Sequence, residues 1–254
     1  MALLVLTSAG QTQYATNPNR SLGAPFDTPA QIRVVDLGPS PHYSGSNRPH
    51  VRLSCFFFPH FFVKEYDEGR RGAGWLSIVP IGTQDAQQCT QSHAPGERLI
   101  DGDEWCGYFN GVKDNFAIFN ACDDAQGGLP FAVYDTKTGK KIFEDSAYDS
   151  RIWPQKDKPT GVDQLLVIVS SEEILLKYLR VVLTECDLRT DTTSCWKQVK
   201  TKIDLKSAQL PLCTHYEGVT THWVSMFAYP VEVSLSTPTV IKASSGPLKC
   251  WPVY

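Results

Sequence analysis

The chain has 254 residues, 42% of them hydrophobic and 20% charged, and its 24 basic and 27 acidic side chains sum to −3. That composition is globular rather than disordered, and the size supports a sizeable core without staples. The charge balance carries no footprint for nucleic acid or an anionic membrane surface, and no apolar run approaches a membrane span.

The chain opens on Ala2-Leu3-Leu4-Val5-Leu6, followed by Thr7-Ser8-Ala9-Gly10. This looks like the end of a signal peptide's apolar region, yet it has no basic leader and the apolar core is short. Residues 1–10 are therefore read as an apolar strand, and residues 11–30, rich in Asn, Thr, Pro and Gly, as an extended linker. Residues 31–254 make the body. An apolar strand on a polar tether is what strand donation between subunits requires: reach first, then a strand that supplies main-chain hydrogen bonds. Over residues 2–29 the arrangement resembles strand-donating pilus subunits. The plainer alternative makes residues 2–6 an ordinary first strand of their own domain. Asn19-Arg20-Ser21 in the tether is a glycosylation acceptor pattern.

Strand signals dominate the body. Gln31 to Leu37 is a β-branched run closed by Gly38-Pro39. Val51 to Phe58 and Phe61 to Tyr66 flank Pro59-His60, with five phenylalanines inside seven residues. Proline has no N–H for a ladder, so Pro59 marks an edge, a bulge or a break. A turn over 67–74 and a return over 75–81 predict a hairpin of residues 61–81. Residues 82–104 read as irregular, then 105–109 and 115–120 as short strands. Residues 131–135 and 141–144 enclose Thr136-Lys137-Thr138-Gly139-Lys140, with Gly139 free to take a positive φ.

Leu165–Val169 and Tyr178–Leu183 are apolar runs suited to strands buried on both faces, with at most one helical turn over 172–177. Residues 194–203 are the helix candidate, because Trp196, Val199 and Ile203 share one face. Strands over 223–229 and 231–235 are separated by Pro230, and the tail packs down through Cys250 and Trp251. The polar, proline-flanked stretch 154–159 reads as a surface loop rather than a domain boundary. The fold expected is all-β: a disulfide-stapled β-sandwich of two packed, mainly antiparallel sheets with one short helix.

Eight cysteines without a C-x-x-C pair suit a disulfide framework better than a metal site, and hence a secreted or cell-surface protein. Cys186 and Cys195 close a polar, turn-rich excursion and should pair. Cys213 with Cys250 would pin the tail, and Cys89 with Cys106 would bracket a loop containing Pro95-Gly96-Glu97.

Asp101, Asp103 and Glu104, with Asp123-Asp124, are the candidate calcium ligands, since hard cations take several converging oxygens; solvated turns are the plainer account. No histidine pair has the spacing of a zinc helix, although His215 and His222 would converge on a hairpin. G-x-S-x-G is absent and no catalytic residue is assigned. The functional expectation is a secreted structural or adhesive protein, a filament subunit interacting with itself through Ala2, Leu3, Leu4, Val5 and Leu6. The alternatives are a carbohydrate-binding module, which needs exposed coplanar rings to stack on glycans, or a polysaccharide-acting hydrolase, which needs two carboxylates in a cleft.

Overall fold

A computed structural model describes residues 26–70, 72–81, 88–100, 107–122, 128–148, 166–169, 174–188, 190–205, 213, 224–236 and 238–253. The first sheet is a five-stranded meander in the order β1 (Gln31–Pro39), β2 (His50–Phe57), β3 (Phe61–Asp67), β4 (Trp75–Pro80), β5 (Arg98–Ile100). Phe57 faces Phe62 across the β2–β3 turn, where Phe58 N donates to Phe61 O around Pro59-His60. Pro59 therefore marks a break, as its missing N–H requires. The expected 61–81 hairpin is β3 paired with β4.

The second sheet has nine strands. Its main path runs β13 (Val240–Ala243), β12 (Val224–Ser234), β11 (Ile174–Leu183), β9 (Lys141–Tyr148), β8 (Gly128–Asp135), β7 (Phe116–Ala121), β6 (Gly107–Lys113). Off that path β10 (Leu166–Val169) pairs with β11, and β14 (Lys249–Val253) with β12. The β8–β9 hairpin turns through Gly139 at φ +70°. The sheet curls enough for β10 to approach β6 without pairing to it.

Period-two alternation builds the sandwich. Phe56, Phe61, Val63, Leu76 and Ile78 of the first sheet meet Phe109, Val112, Ala117, Phe119, Ala132 and Tyr134 of the second. Phe56 and Phe109 have ring centroids 4.8 Å apart, and Phe119 meets Tyr134 edge-on at 5.5 Å. The residues between those positions, Ile118, Phe131 and Val133, point to the opposite face. There they join Tyr178, Tyr229, Val231 and Val233 beneath the helix α1 (Thr192–Lys202), which buries Cys195, Trp196 and Val199. The expected helix is thus a third layer, closing the face of the second sheet that the first leaves open.

Several expectations change. β5 lies within the stretch read as irregular, and β13 was not foreseen. Residues 174–177, read as part of a helical turn, belong to β11. That strand is buried on both faces, with Tyr178 on one and Leu179 and Val181 on the other. β10 is not, since Ile168 is 41% exposed. β12 runs unbroken through Pro230, which sits opposite Leu179. The reason is a change of neighbour: β12 pairs with β14 over Val224–Ala228 and with β13 over Val231–Ser234. Pro230 O accepts from Ser244 N on that same side. A residue's N–H and C=O share a side in an antiparallel strand, so the absent N–H falls in the gap between β14 and β13 and takes nothing from the β11 ladder. The 154–159 stretch lies outside the described residues.

Candidate functional site

Three disulfides set the frame. Cys186–Cys195 ties the end of β11 to α1 with Cα atoms 5.6 Å apart, and Cys213–Cys250 fastens β14 at 4.5 Å. Cys89 bonds to Cys55 on β2, at 6.1 Å, which corrects the pairing of Cys89 with Cys106. The physical reason is that the 88–97 loop folds across the outer face of the first sheet instead of closing locally. Cys55 lies on that face with Leu53 and Phe57, in one buried cluster with Cys89 and Ala94. Cys122 is also disulfide-bonded, and Cys106 lies outside the described residues. Such bonds form and persist in an oxidising compartment. No helix among the described residues is long and apolar enough to cross a membrane.

A buried ion pair holds the same loop. Lys64, opposite Cys55 in the β2–β3 register, is fully buried. Its Nζ donates to both Glu97 carboxylate oxygens at 3.1 Å and to Gln91 O at 2.7 Å. Glu97 also accepts from Ser77 Oγ at 2.6 Å and Ala94 N at 2.7 Å. All three ammonium protons have acceptors, the condition under which a buried charge is tolerated.

The β6 edge of the second sheet is covered by polar contacts. Buried Glu65 of β3 accepts from Phe109 N at 2.8 Å, and Ala73 N donates to Gly107 O at 2.8 Å. The start of the described chain seals the rest: Asp27 N donates to Val112 O at 2.7 Å. The Asp27 carboxylate accepts from Lys113 Nζ at 2.8 Å and Asp114 N at 2.6 Å, and that bond with Asp27 holds the Lys113 ammonium above the usual lysine range. Phe26 lies over Gly111, where a Cβ would stand 2.4 Å from the ring.

Other edges among the described strands carry exposed apolar side chains, Leu99 on β5 and Ile168 on β10 included. β1 presents Ile32 and Leu37, at 37% and 51% exposure, and β13 presents Val240 and Ile241. Beside β1 the 40–49 loop is held by His42 Nε2 with Glu68 at 2.8 Å, Tyr43 Oη donating to Gly69 O at 2.9 Å, and His50 Nδ1 with Asp36 at 2.7 Å. Gly38 N also donates to Asp36 Oδ1 at 2.8 Å.

One polar cluster interrupts the core beneath α1. Tyr178 Oη donates to Asp145 Oδ2. Arg180 Nε lies 2.8 Å from the same oxygen, an ion pair by proximity whose N–H is not aligned as a hydrogen bond. Burial first, then the Asp145 charge, holds the Tyr178 phenol far above its ordinary range, so it stays a donor. Between β11 and α1, Val182, Glu185, Cys186 and Lys202 line a pocket of about 70 Å³, small beside the ~300 Å³ and more of ligand sites. Tyr66 and Trp75 stack on one another, centroids 3.9 Å apart and planes within 4°, so each ring spends one face on its neighbour.

The interaction residues Ala2, Leu3, Leu4, Val5 and Leu6, the acceptor Asn19, the acidic trio Asp101, Asp103 and Glu104, and His215 and His222 all lie outside the described residues. Among the described residues no three His, Cys, Asp or Glu side chains gather as metal ligands. Sequence reading missed Lys64, Glu65, Glu97, Phe26 and Asp27. The available signal was the pair Lys64-Glu65 set directly after Phe61-Phe62-Val63, two charges inside an apolar strand. Comparison with known protein families, with curated proteins and with solved structures gives no match to this chain.

Proposed function

We propose that this chain is a secreted structural or adhesive protein, a subunit that assembles by donating Ala2–Leu6 to an open sheet edge of a neighbouring copy. The observation that carries the reading is the set of sheet edges with exposed apolar side chains, β1 and β13 among them, on a disulfide-braced body. A sheet edge offers a row of main-chain donors and acceptors to another strand. The sequence supplies a candidate donor, five apolar residues on a polar tether. The disulfides fit a protein that works outside a reducing cytosol.

Electron microscopy of the whole chain beside a version lacking residues 1–15 tests the reading. Filaments or discrete oligomers that vanish on truncation are the expected result. Monodisperse single particles in both samples overturn it.

A further inference from the structure

We infer that Arg180 and Tyr229 form a binding site for a carboxylate monoanion on the α1 side of the second sheet. Neighbouring strands assemble it. Arg180 of β11 stands opposite Tyr229 of β12 and Ala147 of β9. Asp145 lies two residues before Ala147, and Tyr178 two before Arg180, so the pleat sets all four polar side chains on one face. That is the face shared by Tyr178, Tyr229 and Ala147 beneath the helix.

In this cluster the acceptors are used and the donors are not. Asp145 Oδ1 accepts from Ser146 N at 2.9 Å, and Oδ2 takes the Tyr178 hydroxyl and faces the Arg180 charge. A guanidinium offers a whole fork of N–H donors. Nε lies unaligned beside Asp145, Nη1 makes one long bond of 3.5 Å to Tyr229 Oη, and Nη2 meets no acceptor among the described residues. Tyr229 receives that bond, yet its own O–H proton has no acceptor among the described residues, although the residue is only 2% exposed. A buried hydroxyl ordinarily finds an acceptor. The unmatched donors of Arg180 and Tyr229 therefore lie side by side.

Geometry and charge together choose the ligand. An arginine fork matches the two oxygens of a carboxylate, and a hydroxyl beside it supplies a further bond. Asp145, 2.8 Å from Nε, already offsets the arginine's charge. A monoanion adds one negative charge to that neutral cluster. A phosphate dianion adds two, in a place where excess charge is poorly solvated. The Arg180 side chain is 29% exposed, so a ligand reaches the fork from solvent. Tyr178 takes no part in the contact: its hydroxyl is committed to Asp145 and holds that carboxylate beside Nε.

Sodium acetate is the probe, titrated into the whole chain at fixed ionic strength while the Arg180 Nε–H resonance is followed by NMR. The expected result is a saturable shift, with inorganic phosphate binding more weakly. Tyr229→Phe removes one bond to a charged ligand and should weaken acetate about tenfold. It should not lower the unfolding midpoint, because the lost hydroxyl proton had no acceptor. Arg180→Lys keeps the charge without the fork and should abolish saturation. A short peptide with a free C-terminal carboxylate, beside its amidated form, separates the sources: selective binding of the free form identifies a peptide end, and acetate alone a small free acid. Acetate that shifts the resonance no more than chloride does overturns the site. So does a Tyr229→Phe chain that binds acetate unchanged while its midpoint falls, since the hydroxyl then serves only the fold. Phosphate that binds as tightly as acetate overturns the carboxylate as ligand. If Tyr229→Phe fails to fold, Arg180→Lys decides: acetate that still saturates it overturns the site.

Discussion

Across β2–β4 the five-stranded sheet is covered, cross-linked and charge-paired; beside β1 the contacts among the described residues include one loop and a handful of exposed hydrogen bonds. The covered side carries Cys55–Cys89, the Lys64–Glu97 pair, and Glu65 reaching across to the second sheet. The other side carries Asp36, His42 and His50 in contacts open to water. The difference separates two uses of polar groups. Where the sheet is buried, each removed partner leaves a group that water cannot reach. Where it is open, water replaces whatever is taken away.

The largest expected effect is on the covered side. Lys64→Met leaves the Glu97 carboxylate buried without its counter-charge and should cost about 3–5 kcal/mol in urea unfolding. Replacing both partners, Lys64→Met with Glu97→Leu, should recover part of that loss, because no lone charge then remains inside. Ile32→Lys with Leu37→Lys, at the open edge, should move stability by no more than about 0.5 kcal/mol. Equal losses from Lys64→Met and from the edge pair would break the comparison.

Next is the seam between the sheets. Glu65→Leu deprives the buried Phe109 N–H of its acceptor and should cost about 1–3 kcal/mol, whereas Glu65→Gln keeps an acceptor oxygen and should cost less. Gly111→Ala is similar in size: the added Cβ meets the Phe26 ring, and overpacking of this kind costs about 1–3 kcal/mol. Combining it with Phe26→Ala should cost less than the two single changes added together, because both act on one contact. Additive losses in that cycle would show that Phe26 and Gly111 are not packed together.

These contrasts explain what could be read from the residues alone. The 61–81 and 131–144 hairpins were legible because alternation and turn residues are local, and α1 because Trp196 and Val199 recur at helical spacing. Cys186–Cys195 was legible because its loop is short and polar. Cys55–Cys89 was not: the partners are 34 residues apart and meet only after the 88–97 loop crosses two strands of a formed sheet. Lys64 and Glu97 are likewise joined by that crossing. Pro230 misled because tolerance of proline depends on which neighbour faces its missing N–H, and β12 changes neighbour at that point. Of the candidate site, the donor was proposed from sequence, and which strands stand at sheet edges emerged only from strand order, which no local pattern encodes.

The smallest effect belongs to the open side and depends on pH. The Gly38 N–H first, then His50 Nδ1, holds the Asp36 carboxyl below its ordinary value of 3.8. A carboxyl whose pKa is lower folded than unfolded adds stability that is complete above the unfolded value and lost as pH falls through the folded one. The contribution of Asp36 should therefore disappear on acidification below about pH 4, with the Gly38 amide resonance following the same titration. Asp36→Asn should abolish that titration and leave the unfolding midpoint at neutral pH nearly unchanged, since exposed pairs are screened by water and salt. A large neutral-pH loss in Asp36→Asn would mean that the β1 turn is braced as firmly as the Lys64 loop. The two sides of the sheet would then be alike in how firmly they hold their polar groups.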